Sequence, residues 1–162
     1  MALRNIRIDS DPILRKKSRP VEQFDEKLHT LLDDMKQTLK KAEGVGLAAP
    51  QVGVLRRVVI VDVGDGLLEL VNPEIIFSEG SRREQEGCLS LPDRAGVTER
   101  PQRVRVRAQN RYGDWCLYEG VDLKAQCFCH EIDHLDGILY PDRLAPGETL
   151  FRTEPQEKKK KS

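Results

Sequence analysis

An α+β fold, with antiparallel β-sheets surrounding a central helix, is the architecture this sequence predicts. Two helical stretches stand far apart in the chain, several β-rich runs lie between them, and strands and helices do not alternate as a parallel βαβ sheet requires. The 162 residues suit one domain, and 38% hydrophobic with 33% charged residues predicts a single core under a well-solvated surface.

Each element follows from local pattern. The start carries charges at Arg4, Arg7 and Asp9 without an apolar run, so it does not read as a secretory signal. No stretch of 18 apolar residues occurs, and no membrane span is expected. Asp11-Pro12-Ile13-Leu14-Arg15 reads as an extended or turn segment, because the residue before a proline avoids helical angles. Asp25 then opens a helix whose apolar stripe is Leu28, Leu31, Leu32, Met35 and Leu39, and Gly44 is expected to end it. Arg57 to Val63 is a β-branched run fit for a buried strand. Leu67 to Phe77 supplies further strand, interrupted at Asn72-Pro73. Val104, Val106 and Ala108 alternate with Arg103, Arg105 and Arg107, the mark of a half-exposed strand, and a turn around Gly113 spans Asn110 to Asp114. A second helix runs from about Asp122, read as its N-cap, to a stop at Gly137.

Formal net charge is zero, with 27 basic and 27 acidic side chains. Setting aside Lys158, Lys159, Lys160 and Lys161 leaves residues 1–157 with 23 basic against 27 acidic groups, a net charge of −4. A broad basic face for nucleic acid is therefore not indicated. Residues 1–153 are expected to form a single domain, and 154–162 a disordered lysine-rich tail. Four cysteines in a chain without an export signal read as reduced thiols or metal ligands, which points to the cytoplasm.

The chemistry is carried by His130-Glu131-Ile132-Asp133-His134, an H-E-x-x-H sequence inside the second helix. At about 100° per residue, His134 lies roughly 40° round from His130 and one turn along. Two imidazoles on one face can pinch one metal ion. Glu131 and Asp133 flank that stripe and either carboxylate could reach metal-bound water; the motif assigns the role to Glu131. Such a short motif also arises by chance on solvated helices. Here, however, two of only three histidines fall at this spacing, beside Ile132, Leu135 and Ile138 to bury. His29 needs no role.

A catalytic site of this kind usually has three protein ligands and an open position. Cys127 shares the histidine face but precedes His134 by seven residues, about 10 Å along the axis, too far for metal–ligand bonds of about 2.0–2.3 Å. It fits better as a pocket-lining or core residue, and Cys129, turned away from His130, as core. Cys116 is assigned nothing. Cys88 is left, in Glu86-Gly87-Cys88-Leu89-Ser90, beside a glycine that permits close backbone approach.

Three segments then coincide in order. Gly44-Val45-Gly46-Leu47-Ala48-Ala49-Pro50-Gln51, Glu86-Gly87-Cys88-Leu89-Ser90 and His130-Glu131-Ile132-Asp133-His134 resemble the G-x-G-L-A-A-x-Q, E-G-C-L-S and H-E-x-D-H motifs of peptide deformylases, with similarity from about Ile8 to Leu144. The resemblance implies a metal-dependent hydrolase that removes the formyl group from N-terminal formyl-methionine of new polypeptides and releases formate. It implies Cys88, His130 and His134 as metal ligands and Glu131 as the general acid–base. Gln51 and the Leu89 backbone N–H become donors to the formyl oxygen. The backbone of Gly44 and Gly46 is expected to pair with substrate, Val45, Leu123 and Cys127 to line the methionine pocket, and Arg100, with Arg103 and Arg105 as rivals, to lie near the substrate backbone. Glu86 is expected to orient other groups. The implied metal is Fe²⁺, with Ni²⁺, Co²⁺ or Zn²⁺ as substitutes. The implied setting is a cytoplasmic monomer with transient ribosome contact.

Departures from the family pattern are Asp93 after Leu91-Pro92, Cys129 where glutamine is common, Gln126 at a usually apolar position beside the pocket, and the lysine tail. Two rivals are a peptidase using the same helix, from which Cys88 and Gln51 separate this chain, and a silent ribosome-docking module, against which the intact ligand set and Glu131 speak.

Overall fold

The structure, a computed structural model, describes residues 2–153. The tail expected over 154–162 lies outside the described residues.

Asp11 is extended, as a residue before proline should be, but Pro12–Arg15 closes into a 3₁₀ turn rather than continuing extended. The Asp11 carboxylate accepts from Ile13 N at 3.1 Å, which satisfies the first free amide of the turn. Helix α1 spans Glu26–Ala42, and Asp25 caps it by accepting from Leu28 N at 3.2 Å. The whole expected stripe, Leu28 to Leu39, is buried. Its end differs from expectation. Glu43, at φ 58°, takes the left-handed position that had been given to Gly44. Gly44 is needed for space instead, since a Cβ there would stand 3.0 Å from both Leu39 Cδ1 and Leu89 Cδ1.

Strands β1 (Gly46–Ala48), β2 (Val58–Val61) and β3 (Leu68–Glu79) pair antiparallel in that order. Strands β4 (Arg82–Cys88) and β5 (Leu91–Arg100) form a hairpin, and β6 (Arg103–Gln109) and β7 (Trp115–Val121) another. With β8 (Phe151–Arg152), these make a five-stranded sheet in the order β1-β2-β3-β6-β7 and a three-stranded sheet in the order β4-β5-β8. Every pairing among the named strands is antiparallel. Asn72-Pro73 does not break β3. The register shifts between Val71 and Glu74, with Asn72 at φ 52° and its side chain bonded to Val21 N, Val21 O and Gln109. The interruption is a bulge, which tolerates a proline inside a long strand.

Helix α2 spans Leu123–Leu135, and only Leu123, Lys124 and Asp133 escape burial. Asp122 occupies the N-cap position but its side chain makes no cap bond; it turns to Gln102 at 3.5 Å. Gly137, at φ 73°, follows the helix and packs on Arg15, whose carbonyl oxygen would lie 2.4 Å from an added Cβ.

The apolar run in β2 is explained by its two faces. Val59 and Val61 join Leu70, Val104, Val106, Phe128 and Leu135 beneath α2, whereas Val58 and Ile60 join Leu32, Met35 and Leu39 beneath α1. A strand covered on both faces has no polar alternation. The half-exposed β6 does alternate, with Val104, Val106 and Ala108 buried and Arg105 and Arg107 exposed. Helix α2 is therefore enclosed by the five-stranded sheet on one side and approached by the β4–β5 hairpin on the other.

Candidate metal centre and active-site cleft

Helical geometry places His130 and His134 on one face of α2, with ring centroids 5.0 Å apart. The β4–β5 hairpin, turning through Leu89-Ser90, brings Cys88 to them. Cys88 Sγ lies 3.4 Å from His134 Nε2, and one donor atom from each of Cys88, His130 and His134 falls within 4.8 Å of the others. Cys127 stays outside this group: its thiol donates to Val45 O at 3.5 Å, and burial pushes its pKa well up. Cys129 is core, as expected.

His130 presents Nε2 to this group because Nδ1 is bonded to the Glu86 carboxylate. A carboxylate on the far nitrogen of an imidazole fixes its tautomer and raises its basicity as a ligand. Glu86 is itself saturated. Thr98 Oγ1 donates at 2.6 Å and Gln126 Nε2 at 3.2 Å, while Arg100 donates from Nε and Nη2, both at 2.8 Å. Burial works to raise the Glu86 pKa, but the bonds from His130 and Arg100 overcome it and hold the group far below the carboxylate range. His134 is kept neutral by burial and by the neighbouring His130, which together push its pKa well below that of a free histidine.

Arg100, expected near the substrate backbone, is buried and is not among the residues that line the cleft. Besides Glu86 it bonds Asp133 Oδ2 at 3.0 Å, and Arg143 holds Asp133 from outside with two bonds of 3.0 Å. The buried Glu86 carboxylate needs a buried cation, and the Arg100 fork serves it with two bonds while a third reaches Asp133. The same bonds turn Asp133, one of the two carboxylates flanking the histidines, toward Arg100 and Arg143. Glu131 is buried, its Oε2 lies 4.0 Å from His130 Nε2, and its Oε1 is enclosed without a partner. Burial, partly countered by His130, raises its pKa to about 7.

Gln51 sits in the 3₁₀ turn Ala49–Val52 that follows β1. Its Oε1 accepts from Ala48 N at 2.9 Å, which turns Nε2 toward Ser90 Oγ at 3.0 Å and Cys88 Sγ at 3.7 Å. The Leu89 N–H has no protein acceptor among the described residues. These groups open on a cleft of about 570 Å³. Gly44, Val45, Gly46, Leu123 and Cys127, all expected around a substrate, line it together with Gln126. A second groove, about 610 Å³ and bounded by Arg19, Val21, Leu28 and Arg56, is lined by none of these groups.

The donor set suits a transition metal: one soft sulfur and two imidazoles, with a buried carboxylate oxygen beside them that no group among the described residues satisfies. Ser90 and Thr98 were not foreseen as supports. Ser90 stood inside a motif and was legible in principle, whereas Thr98 lies in a polar stretch whose pattern marks nothing.

Gly46 is where the sequence needs a glycine for close approach. An added Cβ would stand 2.5 Å from Glu131 Oε2 and 2.8 Å from Cys127 Sγ. Gly46→Ala is expected to displace Glu131 and lower kcat at least tenfold, with metal content unchanged. Metal analysis beside steady-state kinetics checks this, and a normal kcat would show that β1 yields instead.

The chain matches the family model described as "Polypeptide deformylase" over residues 3–149. It is 56% identical over 144 residues to a peptide deformylase of Alkaliphilus metalliredigens, covering 89% of this chain and 98% of that one. To one of Acetivibrio thermocellus it is 59% identical, covering 89% and 85%. Among solved structures, the peptide deformylase of Thermotoga maritima superposes with a TM-score of 0.87 at 41% identity, covering 89% of this chain and 99% of that one. That of Synechococcus elongatus, solved in complex with actinonin, gives 0.85 at 35% identity, covering 88% and 79%. With the fold, the donor group and these similarities in agreement, the chain belongs to the polypeptide deformylase family.

Proposed function

We propose that Cys88 Sγ, His130 Nε2 and His134 Nε2 hold a divalent metal for the reaction of this family, metal-dependent hydrolysis of the N-terminal formyl group from newly synthesised polypeptides. The observation that carries the reading is the grouping of these three donors, with Cys88 and His130 lining one cleft together with Glu131 and Gln51. Fe²⁺ is the working ion, with Ni²⁺, Co²⁺ or Zn²⁺ able to substitute, since the mixed sulfur and nitrogen set suits all four. When bound, such an ion supplies Lewis acidity and makes hydroxide available near neutral pH.

The remaining chemistry belongs to the chain. Glu131 takes a proton from the attacking water and returns one to the amine that leaves as formate departs. A carboxylate enclosed beside the donors, with one oxygen free of protein partners among the described residues, is placed for transfer in both directions. Gln51 Nε2, exchanging its long 3.7 Å contact to Cys88 Sγ, and the Leu89 N–H donate to the formyl oxygen as negative charge grows there. Gln51 is preorganised for this by the Ala48 bond on its other end. Strand β1 is a sheet edge, so the outward backbone of Gly46 is offered to an extended substrate, with the Gly44 carbonyl beside it. Val45, Leu123 and Cys127 receive the methionine side chain. Glu86, held by Arg100, keeps His130 oriented.

Residues 1–153 form the catalytic unit, and 154–162 is a dispensable lysine-rich tail whose charge serves transient contact with ribosomal RNA. The chain acts as a monomer in the cytoplasm; one copy carries every proposed site group, and no helix among the described residues is long and apolar enough to cross a membrane. The test is formate release from a formyl-methionyl peptide by metal-loaded protein and by protein stripped with a chelator. Release should vanish on stripping and return with Fe²⁺ or Ni²⁺. Undiminished release without metal, or cleavage at internal peptide bonds instead, would refute the reading. Protein ending at Glu154 should match the full chain in Tm and small-peptide turnover; a large fall in Tm would refute the domain boundary.

A further inference from the structure

The wall of the cleft contains a side chain that an apolar pocket does not require. Gln126 is buried on α2, next to Cys127, and lines the cleft. Its Nε2 is held from behind by Glu86 Oε1 at 3.2 Å and, less closely, by Gln85 O at 3.4 Å. Both amide hydrogens are thus engaged by β4. A flipped amide would set oxygen against the Glu86 carboxylate, so the orientation is fixed. Among the described residues no protein donor reaches Oε1, yet it is absent from the enclosed unpartnered atoms, which are Ser18 Oγ, Glu131 Oε1, His134 Nδ1 and the Tyr140 hydroxyl. The Gln126 oxygen therefore opens on the cleft.

We propose that Gln126 is a specificity-determining residue, whose Oε1 gives the side-chain pocket a fixed hydrogen-bond acceptor. This rests on the reading that Val45, Leu123 and Cys127 line the pocket for the first residue of the substrate. An acceptor in that wall acts in two directions. A first residue ending in an N–H donor gains a hydrogen bond, and a neutral bond of about 0.5–1.5 kcal/mol corresponds to roughly 2- to 13-fold in kcat/KM. A purely apolar side chain such as methionine covers Oε1 and strips its water without replacing it, which weakens binding. The pocket is thus broader in its taste, and less tight for methionine, than a wholly apolar wall would make it.

The experiment uses the full metal-loaded chain and three peptides differing only in the first residue: formyl-methionine, formyl-norleucine and formyl-glutamine. Norleucine and glutamine are similar in length and differ in the terminal donor. In Gln126→Leu, the ratio of kcat/KM for formyl-glutamine over formyl-norleucine should fall about fivefold, and KM for formyl-methionine should fall about three- to tenfold. The variant also loses the bonds to β4, so any loss of kcat common to all three peptides cancels in the ratio. Should the leucine variant not fold, as judged by circular dichroism, Gln126→Met reads the same ratio. An unchanged ratio overturns the proposal. Leu123→Ala separates it from the reading beneath it, because enlarging the pocket must alter the preference between formyl-norleucine and formyl-alanine. If Leu123→Ala alters that preference while Gln126→Leu leaves its ratio unchanged, the acceptor role alone falls. If neither variant changes any ratio, the pocket itself is elsewhere.

Discussion

Glu131→Ala is expected to lower formate release by a factor of about 10²–10⁴ while the protein keeps its metal, the range that general acid–base catalysis contributes. In barrier terms this is about 3–5 kcal/mol. The loss should fall on kcat, because Glu131 lines the cleft but is not one of the three donors Cys88, His130 and His134. Among the described residues its oxygens make no hydrogen bond that holds the fold together; Oε1 is buried and unpartnered there. Removing a buried, unsatisfied carboxylate relieves a desolvation cost, so Tm should hold or rise. Metal content by atomic spectroscopy, kcat and Tm on the same preparation form the test. Near-normal turnover would move the proton-transfer role elsewhere. Asp133 is a poor heir, since Arg100 and Arg143 hold it away from the histidines.

Cys88→Ser is expected to lose both metal and formate release, whereas Cys127→Ser and Cys129→Ser keep both. Cys88 Sγ lies 3.4 Å from His134 Nε2 and also accepts from Ser90 N at 3.4 Å, so the sulfur is pinned from two sides where a metal would sit. A serine oxygen is harder, and its bonds to metal are about 0.2–0.3 Å shorter than those of sulfur, so it cannot replace the thiolate at fixed backbone. Cys127 is committed to the Val45 carbonyl and Cys129 to the core, and their serine variants should show only modest losses in Tm. Binding of metal measured by titration with Co²⁺, followed by its sulfur-to-metal absorption band, separates the variants. The band should be absent in Cys88→Ser alone. A Cys88→Ser protein that binds and works normally, beside a Cys127→Ser protein that fails, would overturn the ligand set. The same thiolate leaves an iron centre open to oxidation. The iron form should therefore lose activity in peroxide well before a nickel-substituted one.

Much of this molecule was legible before any coordinates. The stripe from Leu28 to Leu39 located α1, and the uninterrupted Val58–Val61 run located a strand covered on both faces. The alternation from Arg103 to Ala108 located a strand covered on one. These patterns are readable because burial against a neighbouring layer repeats with the period of the element itself. The pairing of His130 with His134 was readable for the same reason, since helical spacing alone puts them on one face. Strands β4 and β5 were not legible. Their exposed and buried positions follow no clean alternation, because β4 is mostly exposed and the hairpin turns its polar residues inward only where Glu86, Thr98 and Arg100 meet.

What only the tertiary structure decided is the partnership of buried polar groups. Arg100 read equally well as a substrate contact, Glu131 and Asp133 flanked the histidines symmetrically, and Gln126 was merely out of place. Their orientations come from groups distant in sequence: Glu86 lies 14 residues from Arg100 and 40 from Gln126, and Arg100 lies 33 from Asp133. By itself, the sequence determined the two helices, the main strands, the three motifs and the shared face of the histidines, because those depend on local period and composition. Which way each charged side chain turns depends on the partner that offsets its desolvation, and that partner is supplied by folding.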